Sequence, residues 1–160
     1  MKKVLLIVCF IAGFGMAMAQ EETTFTDEDL TKYATVMVWA GIEKGKMTEI
    51  YNGWIRDNEI LDAIRYREIK QAEDDSVKLQ EIAVTLIELD AYNRIKMQHD
   101  SIMSSFISVL KAEIKETIGK GLYKELKKVL KSDVDVKARY KVIYDGLMDE
   151  QGLDEDETED

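Results

Sequence analysis

The feature that most constrains this chain is the spacing of its apolar residues in a sequence without a single proline. Proline fixes φ and lacks an N–H group, so its absence leaves no position where a helix must break. Apolar side chains recur at intervals of three and four residues, which is the periodicity of an amphipathic helix and not of a strand. The sequence therefore predicts an all-α protein.

Polar residues that favour helix ends divide this pattern. Thr26 precedes three acids and is the predicted N-cap of a first helix, in which Gly41 and Gly45 favour a kink. The stretch from Leu79 to Ile95 is apolar on two faces and is predicted as one central helix. Further helix starts are predicted at Asp57–Asn58, Glu73–Ser76, Ser101 and Ser132–Asp133, while Gly119 and Gly121 predict a bend or a close helix contact. We expect one domain over residues 26–148, an antiparallel helical bundle or helical-hairpin stack of four to six helices.

The N-terminus has the pattern of a secretory signal. Lys2 and Lys3 precede an apolar run from Val4 to Phe14, and Ala17-Met18-Ala19 supplies small residues where a signal peptidase cleaves. A membrane anchor is the alternative, but a spanning helix needs about 20 apolar residues. We expect a cleavable signal peptide over residues 1–19 and a polar linker over 20–25. The mature chain is then exported, periplasmic or extracellular, without a transmembrane segment.

The single cysteine bears on the same prediction. Cys9 lies within the apolar run, and a lipoprotein would carry its lipid on such a residue. Val8 stands where a small residue is expected before a lipidated cysteine. Loss of Cys9 with the signal would leave no disulfide and no thiolate metal ligand, so the fold must be held by its core.

Charge is unevenly distributed along a chain whose net charge is −10. Residues 149–160 contain eight acids and no base, which predicts a disordered acidic tail. Lys111 to Tyr144 contains ten basic and five acidic residues and stands out as the basic segment. Export and overall acidity argue against nucleic acid as a partner.

Seven lysines of the basic segment are the candidate surface for an anionic partner, such as lipid headgroups, polysaccharide or an acidic protein. The alternative is an ordinary solvated helix face, or one that the acidic tail covers. Glu116 with Lys120, and Asp135 with Arg139, are predicted i,i+4 ion pairs. The candidate lysines are Lys111, Lys115, Lys120, Lys124, Lys127, Lys128 and Lys131.

Patterns for catalysis and metal binding are weak. His99 is the only histidine, and its neighbours Asp100 and Ser101 point to different sides of a helix, so a Ser-His-acid triad is not predicted. A surface histidine at a helix end is the favoured interpretation. Glu-x-x-His pairs for a di-metal bundle and zinc-ligand sets are missing from the sequence. We predict no catalytic, cofactor-binding or metal-binding residue and no cofactor.

Two segments resemble a family of small exported bacterial helical proteins of unknown function. Phe25–Ala34 is similar to the opening of that family, and Gly121–Tyr140 is similar to its closing segment. The likeness covers most of the mature chain and is specific at these two ends, while the acidic tail is outside it. The resemblance implies a helical, periplasmic or secreted domain and carries over no catalytic residue.

Together these features predict a non-enzymatic helical module that binds a partner in the cell envelope or has a structural role there. A periplasmic holdase-like chaperone is the alternative, and an enzyme is the third class. The partner is an unidentified protein or an anionic envelope component, and the sequence leaves the oligomeric state open.

Overall fold

A computed structural model describes residues 25–152. The predicted signal peptide, the linker up to residue 24 and residues 153–160 of the predicted tail lie outside that range. All regular secondary structure between residues 25 and 152 is helical, which confirms the all-α prediction. The six helices are α1 (Asp27–Arg56), α2 (Ala63–Ala72), α3 (Ser76–Glu81), α4 (Leu86–Thr117), α5 (Lys120–Val129) and α6 (Val134–Glu150).

Two long helices form the axis of the bundle. α1 has 30 residues and α4 has 32, so each is about 45 Å long at 1.5 Å per residue. Trp39 of α1 stacks on Phe106 of α4 with ring centroids 6.1 Å apart, and Tyr51 lies against His99 at 4.5 Å. Residue numbers rise along one helix as they fall along the other, so the two helices are antiparallel.

α1 begins as the sequence predicts. The Thr26 hydroxyl accepts from the Asp29 N–H at 3.2 Å, and the Asp29 carboxylate accepts from the Thr26 N–H at 3.0 Å. This reciprocal capping box satisfies two helix-end donors. The helix then continues through Gly41 and Gly45 without a break.

The second helix starts later than predicted. Asp57 is the C-cap of α1, and the Asn58 side chain accepts from the N–H groups of the two residues before Asp62. Asp62 is the N-cap of α2, accepting from the Arg65 N–H at 2.7 Å. The predicted break at Glu73–Ser76 is confirmed, with Asp75 as the N-cap of α3.

The predicted central helix from Leu79 to Ile95 is wrong. The chain turns between α3 and α4, with Ala83 in the left-handed region at φ 49°. Thr85 then caps α4 through a second capping box with Glu88, and Ile87 is exposed rather than central. The predicted start at Ser101 is also wrong, because Ser101 lies inside α4.

α5 and α6 fold back along the start of α1. Gly119 has φ 79° and separates α4 from α5, so the predicted bend is the boundary between two helices. Asp133 caps α6, which confirms the predicted start at Ser132–Asp133. Tyr140 packs against Tyr33, and the Tyr144 hydroxyl lies beside Gly41, so α6 runs parallel to α1. Because α6 extends to Glu150, the first two residues of the predicted tail are helical.

The buried residues form two separate clusters at opposite ends of α1 and α4. The first core joins α1, α4, α5 and α6 and contains Phe25, Leu30, Tyr33, Val36, Ile114, Ile118 and Leu126. The second core joins α1, α2, α3 and α4 and contains Leu61, Tyr66, Ile69, Ala91, Tyr92 and Ile95. Within residues 25–152, no helix is both long enough and apolar enough to cross a bilayer.

Candidate anion-binding surface

The basic segment folds around the end of α4. The Gly119 N–H donates to the Ile114 carbonyl at 2.8 Å and closes the last turn of α4. The positive φ of Gly119 is readily available only to glycine, and it lets the chain turn into α5. Leu126 on the inner face of α5 is fully buried in the first core.

Three tyrosines attach α5 to its neighbours. The Tyr33 ring of α1 stacks on Tyr123 of α5 with centroids 5.3 Å apart and meets the edge of Tyr140 of α6 at 5.6 Å. Burial, with a smaller contribution from Tyr123, raises the pKa of Tyr33 to about 12. Burial also raises the pKa of Tyr140. These phenols stay neutral at physiological pH and pack as aromatic side chains.

The lysines project from the opposite side of α5. Lys120, Lys124 and Lys127 are spaced four and three residues apart, which places them on one helix face. Lys111 and Lys115 are one turn apart near the C-terminal end of α4. All seven candidate lysines are exposed. The structure thus brings the predicted residues to one end of the molecule.

These lysines are not neutralised by neighbouring acids. Among the ion pairs between residues 25 and 152, none includes any of the seven. The predicted Glu116–Lys120 pair is wrong, because Gly119 separates the two residues into different helices. The predicted Asp135–Arg139 pair is wrong as well, since Arg139 binds Asp27 and donates to the Phe25 carbonyl at 3.1 Å.

Acids are few within the lysine-bearing segment itself, although the acidic first turn of α1 lies at the same end of the bundle. Between residues 111 and 131 there are seven lysines and three glutamates. Glu113 accepts a hydrogen bond from the Thr117 hydroxyl at 2.8 Å, while Glu116 and Glu125 are exposed. An excess of one charge sign on one surface creates a positive potential in a protein that is acidic as a whole.

The structure places the single histidine differently from the prediction. His99 lies inside α4, not at a helix end, and its half-exposed ring packs against Tyr51. The Asp100 carboxylate lies 3.5 Å from its Nδ1 atom. Among residues 25–152, no group of three or more His, Cys, Asp or Glu side chains has the arrangement of a metal site.

Sequence reasoning missed a cleft at the other end of the bundle, between α1 and α2. Tyr51 and Tyr66 line it and are joined through their hydroxyl groups. The two residues are separated by 15 positions, so neither a short motif nor helical periodicity relates them. The only available signal was the concentration of arginine and lysine in α2.

Comparisons with protein-family models, with curated proteins and with solved structures gave no match. The resemblance of Phe25–Ala34 and Gly121–Tyr140 to an exported helical family therefore stays a prediction.

Proposed function

We propose that this protein is an exported, non-enzymatic helical module that binds an anionic component of the cell envelope through the seven lysines of α4, α5 and the turn that follows α5. The observation that carries the proposal is that all seven are exposed and none forms an ion pair with another described residue. A charged side chain without an internal partner keeps its full charge for an external one.

The rigidity of the supporting helix favours binding as well. Leu126 and Tyr123 fasten α5 to the first core, so the lysine-bearing face keeps one orientation. A preorganised set of charges loses less conformational entropy on binding than the same charges on a flexible segment. This distinguishes the surface from an ordinary charged loop.

The packing of α5 on the first core also determines how such a module would bind a membrane. An interfacial helix inserts its apolar face among the lipid chains, but the apolar face of α5 is already occupied by the first core. Contact with a lipid surface is therefore electrostatic and peripheral. Such binding weakens steeply as salt shortens the range of the charges.

Vesicle binding tests this proposal. The purified protein should bind vesicles containing phosphatidylglycerol and should dissociate from them as the sodium chloride concentration is raised. It should not bind vesicles of phosphatidylcholine alone. A basic residue near an anionic surface contributes about 1 kcal/mol, so removing three should weaken binding by about a hundredfold. The test variant is Lys120→Glu/Lys124→Glu/Lys127→Glu, measured by co-sedimentation.

The matched control is Lys44→Glu/Lys46→Glu/Lys78→Glu, which makes the same change in net charge away from α5. It should retain most of the binding. Equal losses in the two triple variants would show that total charge, and not the α5 surface, governs the interaction. Absence of binding to anionic vesicles at low salt would contradict a lipid partner.

A holdase-like chaperone is the second candidate, and exposed apolar side chains favour it. Ile64 of α2, Val77 of α3 and Leu86 of α4 are each more than half exposed, Leu86 at 86%. All three belong to the helices around the second core. Exposed apolar surface is typical of sites that bind unfolded clients.

A client assay tests the second candidate. The protein should suppress the heat aggregation of an unfolded client, measured by light scattering, and Leu86→Ser/Ile87→Ser should suppress it less because both side chains are largely exposed. Thr48→Ser/Ser104→Ala is a control at other exposed positions. Unchanged aggregation at stoichiometric excess of the protein would remove the chaperone function.

A further inference from the structure

The cleft between α1 and α2 has the size of a small-molecule site. It is widely open to solvent and has a volume of about 520 Å³, within the range of roughly 300 to 1,000 Å³ that is typical of ligand pockets. Its walls come from the last turns of α1 and from the first two turns of α2. Ile55 and Ala63 supply apolar surface, and Tyr51 and Tyr66 supply aromatic surface.

The cleft carries a net positive charge, whereas the chain as a whole is acidic. Three bases line it, Arg56, Arg67 and Lys70, and one acid, Asp62. Asp62 is engaged as the N-cap of α2. The Arg56 guanidinium is paired with Asp57, which lies next to it in the chain.

Among the described residues the Arg67 side chain has no acidic partner, whereas Lys70 contributes, after Lys96 and Tyr92, to the lowered pKa of Glu73. Within residues 25–152, Arg67 makes neither a hydrogen bond nor an ion pair, and Lys70 makes no ion pair. The Lys70 ammonium lies 6.0 Å from the centre of the Tyr51 ring. Both side chains are exposed at the mouth of the cleft and are one turn apart on α2.

The tyrosine pair adds a donor. The Tyr51 hydroxyl donates to the Tyr66 hydroxyl at 2.9 Å. This hydrogen bond uses the O–H of Tyr51 and leaves the O–H of Tyr66 available as a donor. Burial first, and then this hydrogen bond, raise the pKa of Tyr66. Its hydroxyl therefore stays protonated and able to donate at physiological pH.

We infer that this cleft binds a small organic anion with a flat apolar body, such as an aromatic carboxylate. Arg67 and Lys70 bind the charged group, and the remaining tyrosine O–H donates a hydrogen bond to it. The apolar body lies against Tyr51 and Ile55. This site is independent of the lysine surface on α5 and belongs to the opposite end of the bundle.

Benzoate is the probe for this site. Titration into the ¹⁵N-labelled protein at millimolar concentration should shift the backbone amide signals of Asn52, Ala63 and Lys70 along saturating curves. Benzyl alcohol, which has the same ring without the charge, should shift them little, and inorganic phosphate should bind more weakly than benzoate. Equal shifts from phosphate would contradict the proposal that the cleft binds the apolar body of the ligand.

A charge-reversal variant identifies the residues. Arg67→Glu/Lys70→Glu should weaken benzoate binding by about tenfold or more, because charge-assisted hydrogen bonds are lost. Lys44→Glu/Lys137→Glu changes net charge equally at exposed positions outside the cleft and should bind as the parent does. The amide spectra show whether both variants remain folded. Equal benzoate affinity in the two variants would overturn the proposal.

Discussion

Arg65 and Glu88 connect three parts of the chain through one ion pair. The Arg65 Nε atom donates to Glu88 Oε1 at 2.7 Å, and its Nη2 atom donates to Glu88 Oε2 at 3.2 Å. Glu88 also accepts from the Thr85 N–H at 2.7 Å as half of the capping box of α4. Both charged side chains are mostly buried. This arrangement fixes α2 against the start of α4 and holds the turn at Ala83 between them.

These contacts make the stability of the protein depend on pH. The Arg65 guanidinium, followed by the Thr85 N–H, lowers the pKa of Glu88 to about 2 from its usual 4.5. A carboxylate with a lowered pKa stabilises the fold above its unfolded-state pKa. That stabilisation is complete above about pH 5 and is lost as pH falls towards 2.

Glu88→Gln should therefore lower the free energy of unfolding by about 1–3 kcal/mol at pH 7, since a charged hydrogen-bonding group is lost while the cap is kept. Urea denaturation followed by tryptophan fluorescence measures the change. Glu68→Gln is the control, because Glu68 pairs with the same Arg65 but is more exposed, and it should cost under about 1 kcal/mol. A Glu88→Gln deficit that is as large at pH 3 as at pH 7 would contradict the argument.

At the scale of single helices, local signals located some ends and missed others. Thr26 was predicted as a cap, and Glu73–Ser76 and Ser132–Asp133 as helix starts, because a capping side chain bonds to N–H groups within three residues. The same kind of signal was present at Thr85-Leu86-Ile87-Glu88, but the apolar residues on both sides of it favoured one continuous helix. Ser101 resembled a cap only in its residue type, and packing of α4 against α1 keeps it helical.

The candidate anion-binding surface was likewise only partly predictable from the sequence. The seven lysines and their segment could be predicted, because charge composition is a property of sequence alone. That none of them pairs with an acid within residues 25–152 could not be predicted, because the break at Gly119 separates Glu116 from Lys120. The partner of Arg139 could not be predicted either. Asp27 is 112 positions from Arg139, and no local pattern joins residues so far apart. The α1–α2 cleft was missed for the same reason.

At the scale of the whole molecule, residues 25–152 form two cores that share only α1 and α4. Leu126 is fully buried in the first core and Leu61 in the second. Between them, Trp39 and Phe106 stack but are only partly buried. Val38 and Ala40, on either side of Trp39, are buried but belong to neither cluster. Because the two clusters are separate, we expect each end to open locally without the other.

A pair of substitutions tests this division. Leu61→Ala and Leu126→Ala should each cost about 2–5 kcal/mol, the usual range for removing a buried leucine side chain. Hydrogen exchange should rise mainly in α2 and α3 for Leu61→Ala, and mainly in α5 and α6 for Leu126→Ala. Each variant serves as the control for the other. Uniform acceleration across all six helices in both variants would show that the bundle unfolds as one cooperative unit.

The length of α1 sets the distance between the α5 surface and the cleft. Tyr33, which contacts α5, and Tyr51, which lines the cleft, are 18 positions apart on one helix, or about 27 Å. If α1 stands upright on an anionic surface bound by α5, the cleft lies well beyond the roughly 8 Å over which surface charge acts in physiological salt. The cleft would then meet solutes at their bulk concentration, including anions that the surface itself repels.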